Sequence, residues 1–135
     1  MDQFSAGKSA VAAGLKILVV DDNVDAANMF AMLIQFEGHD VRTAFNGAQA
    51  IESVQAFTPD AVFLDISLPD MTGYRVAEQL RRIPALDKAM LVAMTGYSDE
   101  DHQARSEKAG FDHHVVKPAD HAYVMQLLDQ AACRR

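Results

Sequence analysis

Two aspartates, Asp21 and Asp22, follow the apolar run Lys16-Ile17-Leu18-Val19-Val20. Asp65 follows Ala61-Val62-Phe63-Leu64, Thr95 follows Met90-Leu91-Val92-Ala93-Met94, and Lys117-Pro118 follows His114-Val115-Val116. Any one of these aspartates alone reads as a turn residue or a helix cap. Together they are three carboxylates, a hydroxyl and an ammonium, each at the end of an apolar run. Carboxylates about 4 Å apart repel by about 4 kcal/mol per pair at an effective dielectric near 20. Such a cluster is partly protonated or holds a cation. The donors are oxygens, with no cysteine and no well-placed histidine pair among them. That set favours Mg²⁺ or Mn²⁺, hard ions that bind through one or two carboxylates plus a phosphoryl oxygen. Thr95 and Lys117 then fit an incoming anion, the first as a hydroxyl donor and the second as a point charge. The chemistry implied is phosphoryl transfer, in which positioning and charge neutralisation supply most of the catalysis.

These side chains converge only if the runs are neighbouring parallel strands. Apolar runs without alternation suit strands covered on both faces. Asp40-Val41-Arg42-Thr43-Ala44 alternates and reads as a more exposed edge strand. Between the runs lie helical segments. Ala26, Met29, Phe30, Leu33 and Phe36 fall on one stripe at helical spacing, which places Phe30, Leu33 and Phe36 in the core, and Gly38 closes that helix. Residues 48–57 form a second helix ended before Pro59, and residues 74–82 a third ended before Pro84. Ser98-Asp99-Glu100-Asp101 resembles a capping box and opens a fourth that ends at Gly110. Asp120 caps a fifth that runs to about Ala132. The order β-α, five times over, predicts an α/β fold with a parallel sheet and helices on both faces. Ligands of open α/β sheets bind beyond the carboxyl ends of the strands, where the five side chains lie.

The chain of 135 residues predicts one domain, large enough to bury about two-thirds of its surface. Lys and Arg number 12 against 19 Asp and Glu, a net charge of −7. That balance argues against nucleic acid and against an anionic membrane surface as partners. The single cysteine, Cys133, cannot make an intrachain disulfide, and a reducing cytoplasm is the expected location. Residues 1–14 lack the apolar run of a signal peptide and read as a flexible lead-in. The longest apolar stretch is far short of the ~20 residues a membrane span needs. Residues 133–135 alone follow the fifth helix, so no output domain is expected.

Four segments carry a resemblance: Val19-Val20-Asp21-Asp22-Asn23, Leu64-Asp65-Ile66-Ser67-Leu68-Pro69-Asp70-Met71-Thr72-Gly73, Met94-Thr95-Gly96 and Val116-Lys117-Pro118. They resemble the motifs of the receiver domain of bacterial two-component response regulators, over residues 15–132. The resemblance implies a doubly wound (βα)5 fold, flavodoxin-like, with a five-stranded parallel sheet in the order 2-1-3-4-5. It implies Asp65 as the phosphoacceptor, charged from the phosphohistidine of a histidine kinase or phosphotransfer protein. Asp22 matches the direct metal ligand and Asp21 the one that acts through water. Ser67 matches the position whose backbone carbonyl completes the Mg²⁺ or Mn²⁺ site. Thr95 and Lys117 match the hydroxyl and the ammonium that meet the phosphoryl group. The Lys117-Pro118 bond resembles one that is cis. His114 stands where many members carry the Tyr or Phe that turns inward on activation. The resemblance also implies a downstream protein docking on residues 97–128, a face that opens at Tyr97 and closes at Leu128. A receiver assists only its own phosphorylation and dephosphorylation and is not otherwise an enzyme.

Other readings fit less well. An aspartyl-nucleophile phosphatase of the haloacid-dehalogenase kind resembles Asp-x-Asp-x-Thr after the first strand, where this chain has Asp21-Asp22-Asn23-Val24-Asp25. A pseudo-receiver with a dead site would lack some of the acidic, Thr or Lys positions, and all are filled. A stand-alone regulator, a phosphorelay shuttle and a receiver excised from a hybrid histidine kinase all remain open. His113 and His114 point to opposite faces of a strand and cannot share an ion. Arg75, Arg81, Arg82, Arg105 and Lys108 read as solvated helix-surface charges. Gly96 is a turn residue that also leaves approach to a phosphoryl group open, and Tyr97 lies where it could partly cover that group. Cys133 has no expected role.

Overall fold

The computed structural model describes residues 14–96 and 100–134, without the side chains of residues 100–103. Five strands form one parallel sheet: β1 (Lys16–Val20), β2 (Asp40–Ala44), β3 (Ala61–Asp65), β4 (Met90–Thr95) and β5 (His113–Val116). Their spatial order is β2-β1-β3-β4-β5, as the resemblance implied. Five helices connect and cover them: α1 (Val24–Phe36), α2 (Gly47–Phe57), α3 (Gly73–Arg81), α4 (Glu100–Ala109) and α5 (His121–Cys133). A short 3-10 turn, Pro84–Leu86, was not foreseen from the sequence.

Strand residues alternate between two cores. Ile17, Val19, Phe63, Val92 and Met94 face α1 and α5, where Ala27, Ala31, Ile34, Leu127 and Leu128 meet them. Leu18, Val20, Val62, Leu64 and Leu91 face α2, α3 and α4, where Val54, Val76, Leu80 and Phe111 meet them. Both faces are dry, which is why the runs lack a polar alternation. Local chemistry starts the helices. The side chains of Asn23, Asn46 and Thr72 accept hydrogen bonds from the backbone N–H groups of Ala26, Gln49 and Arg75. Asp120 takes the corresponding place before α5, but its carboxylate makes no capping hydrogen bond. The expected capping residues Ser98 and Asp99, and Tyr97 before them, lie outside the described residues, as do residues 1–13.

The expected apolar stripe of α1 is corrected. Met29 is 67% exposed, Leu33 49% and Phe36 76%, while Ala27, Ala31 and Ile34 face the sheet. Phe30 alone of the expected core aromatics reaches inward, meeting Phe63 edge-to-face at 5.3 Å. The helix is apolar almost all round, so periodicity admits more than one stripe. Close approach to the sheet selects the one with small alanines.

Arg81 is likewise no solvated surface charge. Its guanidinium donates to the carbonyls of Gly110 (2.9 Å), Leu86 (3.2 Å) and Ala89 (2.9 Å) and to the Asp112 carboxylate (2.8 Å). Asp112 also accepts from the Leu91 N–H and from Arg134. Burial opposes the charge on Asp112, but these donors outweigh it and lower its pKa. One planar fork therefore closes the end of the sheet opposite the aspartates. A lysine offers a single ammonium and cannot serve three carbonyls in these directions. Arg81→Lys is expected to cost about 2 kcal/mol of stability, read by urea unfolding.

Candidate functional site

The ends of β1, β3, β4 and β5 lie side by side, and the side chains that follow them meet. Asp21 leaves β1 with its N–H on the Ala44 carbonyl (3.1 Å) and its Oδ1 on the Asn23 N–H (3.0 Å). Asp65 closes β3 and accepts the Ser67 N–H at 2.9 Å. Both aspartates are buried, as is Thr95 at the end of β4. The Lys117 N–H donates to the Thr95 carbonyl at 2.7 Å, which carries the last pairing of β4 and β5 into the loop. The Lys117-Pro118 peptide bond is cis. Lys117 Nζ then donates to Asp65 Oδ2 at 2.9 Å and to Asp21 Oδ2 at 3.0 Å.

Asp22 is exposed beside this pair. Carboxylate oxygens of Asp21, Asp22 and Asp65 lie within 4.8 Å of one another, the one such cluster of potential metal ligands among the described residues. With Lys117 the group carries −3 + 1 = −2 when fully ionised. Burial raises the Asp65 pKa, the Asp21 charge raises it further, and Lys117 and the Ser67 N–H oppose both. Burial works against the Lys117 charge, but its bonds to Asp65 and Asp21 outweigh it and raise its pKa. The donors are oxygens, the charge is negative and one ligand is solvent-accessible. Such a set fits a hard divalent cation and not a soft one.

Ser67 stands two residues after Asp65 and bridges to Thr72 across the turn. His114 is half-buried in β5, in register with Ala93. Residue 96 need not be glycine for packing, since a Cβ there would meet nothing within 4 Å. The turn itself is fastened by two features to which the sequence reading gave no role. A Cβ on Gly73 would stand 2.5 Å from the Asp65 carbonyl oxygen, so only glycine lets α3 begin against the strand end. Asp70 accepts the N–H groups of Gly47 (2.8 Å) and Ala48 (2.9 Å) at the start of α2. Those two bonds lower the Asp70 pKa, as expected of a carboxylate at a helix N-terminus. A cap contributed by a residue more than twenty positions away has no local signal.

The profile of the response regulator receiver domain matches residues 17–129, and the chain belongs to that family. The probable transcriptional regulatory protein TcrX of Mycobacterium tuberculosis is 38% identical over 76% of this chain, which spans 43% of that relative's length. The chemotaxis protein CheY4 of Vibrio cholerae has the same fold, with a TM-score of 0.83 at 24% identity, over 88% of this chain and 99% of that one. So has the receiver domain of the sensor histidine kinase PA1611 of Pseudomonas aeruginosa, described with a magnesium ion coordinated in its active site cleft. Its TM-score is 0.81 at 24% identity, over 90% of this chain and 99% of that one. No helix among the described residues is long and apolar enough to cross a membrane.

A carboxyl whose pKa is raised by folding costs stability once it ionises. The cost is absent below its ordinary pKa and grows as pH rises through the raised value. Asp65→Asn is therefore expected to raise the Tm of metal-free protein at pH 7, by about 3–5 °C. The difference from the parent should close in acid. Calorimetry in a chelating buffer at several pH values measures it.

Proposed function

We propose that this receiver takes a phosphoryl group on Asp65 from the phosphohistidine of a histidine kinase or phosphotransfer protein, and that the aspartyl phosphate switches a partner-binding face. The observation that carries the reading is the ammonium of Lys117 bridging buried Asp21 and Asp65 inside a three-carboxylate cluster. An Asp65 oxygen attacks phosphorus, the P–N bond breaks, and the electron pair leaves on the imidazole, which takes a proton from water. Asp22 would hold Mg²⁺ or Mn²⁺ directly and Asp21 through water, with Asp65 and the Ser67 carbonyl completing the set. The ion supplies positive charge to the phosphoryl oxygens. Asp21 accepts the Asn23 N–H, Asp65 accepts the Ser67 N–H, and Lys117 neutralises part of the charge of Asp21 and Asp65.

The approach to Asp65 supports a macromolecular donor. A cavity of about 450 Å³ beside Asp21 and Lys117 is lined by Met29, Phe30, Leu33 and Pro118. The exposed apolar side chains of α1 thus begin at the rim, where a donor's histidine must arrive. Exposed apolar area of this kind marks a contact surface.

The switch acts through the roots of two elements. A phosphoryl group on Asp65 draws the Thr95 hydroxyl and the Lys117 ammonium, whose backbones are already joined. Thr95 precedes the connection to α4, and Lys117 the connection to α5. A shift of Thr95 gives the His114 ring room to turn inward, and the downstream partner reads the face of residues 97–128. A two-state element biased by contacts made in only one state is the minimum for such coupling. The chain acts as a phosphoacceptor in the cytoplasm and not as an enzyme on other substrates.

Intact-mass analysis with acetyl phosphate tests the reading. One phosphoryl adduct is expected with Mg²⁺ or Mn²⁺, and none with chelator or in Asp65→Asn. An adduct that survives Asp65→Asn overturns it. In calorimetric titration, Asp22→Ala is expected to weaken Mg²⁺ binding more than Asp21→Ala. Equal losses overturn the division of roles.

A further inference from the structure

Arg75, Arg82 and Arg105 border a groove of about 820 Å³ between α2, α3 and α4, on the far side of α3 from the sheet. The three arginines sit in a chain of net charge −7, yet among the described residues none of them has an ion-pair partner. Arg81, Arg134 and Lys117, by contrast, are each held by an aspartate. Arg105 instead stacks on Tyr74, its guanidinium 4.3 Å from the ring centre.

Tyr74 supplies an independent observation. It lines the groove, it is only 7% exposed, and its hydroxyl, buried from solvent, has no hydrogen-bond partner among the described residues. A buried hydroxyl left without a partner is uncommon and costs free energy. Its ring is pinned by Phe111 on one side, edge-to-face at 6.5 Å between centres, and by Arg105 on another. The wall thus offers three guanidinium forks, with Gln55 and Gln79 beside them.

We propose that this groove binds a small polyanion carrying two or more phosphate groups. Arginine forks match phosphate oxygens in pairs, and guanidinium is weakly enough hydrated to exchange water for them. Arg75 and Arg82 are two helical turns apart, about 10 Å along α3, more than one phosphate spans. The volume falls within the range of small-ligand pockets. Glu78 projects from the same helix between the two arginines and can accept a hydroxyl of the ligand. Inorganic pyrophosphate and a nucleoside diphosphate share the required chemistry. The site is separate from Asp65, and its test does not depend on phosphorylation.

The experiment is an NMR titration of the full, metal-free chain with pyrophosphate and, separately, with ADP. Without metal the acidic rim repels both probes. Saturable shifts are expected at the amides of Ile51, Gln55, Arg75 and Gln79. The double substitution Arg75→Ala with Arg105→Ala is expected to weaken binding at least about tenfold. Lys88→Ala, outside the groove, should change nothing, and dispersed spectra confirm that each variant is folded. Tighter binding of ADP assigns the groove to nucleotides, and equal binding assigns it to the diphosphate group alone. Absence of saturation at millimolar probe, or equal weakening by Lys88→Ala, overturns the proposal.

Discussion

One ammonium holds two buried carboxylates at the centre of this molecule. Lys117 Nζ stands 2.9 Å from Asp65 and 3.0 Å from Asp21, and the three residues follow strands β5, β3 and β1. The sheet order places β1 beside β3, and β4 between β3 and β5. The lysine must therefore reach across the end of β4, and the cis peptide and the bond to the Thr95 carbonyl set where it starts. An order that separated the ends of β1, β3 and β5 would leave a buried aspartate without its counter-charge, which is among the costliest errors a fold can contain. The rest of the architecture follows from keeping those strand ends level.

Levelling is done from outside the sheet. Gly73 lets α3 start directly against the Asp65 carbonyl, and Asp70 ties the intervening turn to the start of α2. At the opposite end, Arg81 fastens the carbonyls of Leu86, Ala89 and Gly110 while Asp112 holds the Leu91 N–H. The connections entering β4 and β5 are thus fixed at the bottom, and their exits carry Thr95 and Lys117 at the top. Rigid entries and functional exits are the usual division of labour in an α/β sheet.

Much of this was legible in the residues. Unbroken apolar runs named the strands because a doubly covered sheet leaves no room for polar alternation. Strand-end aspartates, Thr95 and Lys117 named the rim because the fold dictates where ligands go. The strand order came from the resemblance, since β-α repetition does not by itself say which strand is central. The helix α1 was misread because apolar residues cover nearly its whole circumference. Met29, Leu33 and Phe36 of the periodic stripe face solvent, Phe30 alone reaches inward, and packing distance, which periodicity does not encode, chose the alanines. Asp70 and Arg81 were invisible for a different reason. Each serves backbone groups distant in sequence, and only the folded chain brings those groups within reach.

The charge of the rim sets what the site can accept. Three carboxylates and one ammonium give −2, and an added phosphoryl group brings roughly two further negative charges. Lys117 is already engaged by two aspartates, so it cannot neutralise that increment alone. In the proposed reaction a divalent cation would supply the remaining positive charge. In the proposed phosphorylated state the Lys117 ammonium would be shared between Asp21 and the phosphoryl group. Lys117 sits one residue beyond β5 and a few before α5. The proposed chemistry and the proposed signalling face would therefore share one side chain. Thr95, buried at the end of β4, is bonded through its carbonyl to the Lys117 N–H and would belong to the same frame. On that reading the switch needs no long-range wire, because the group that would neutralise the phosphate is also the root of the face that would report it.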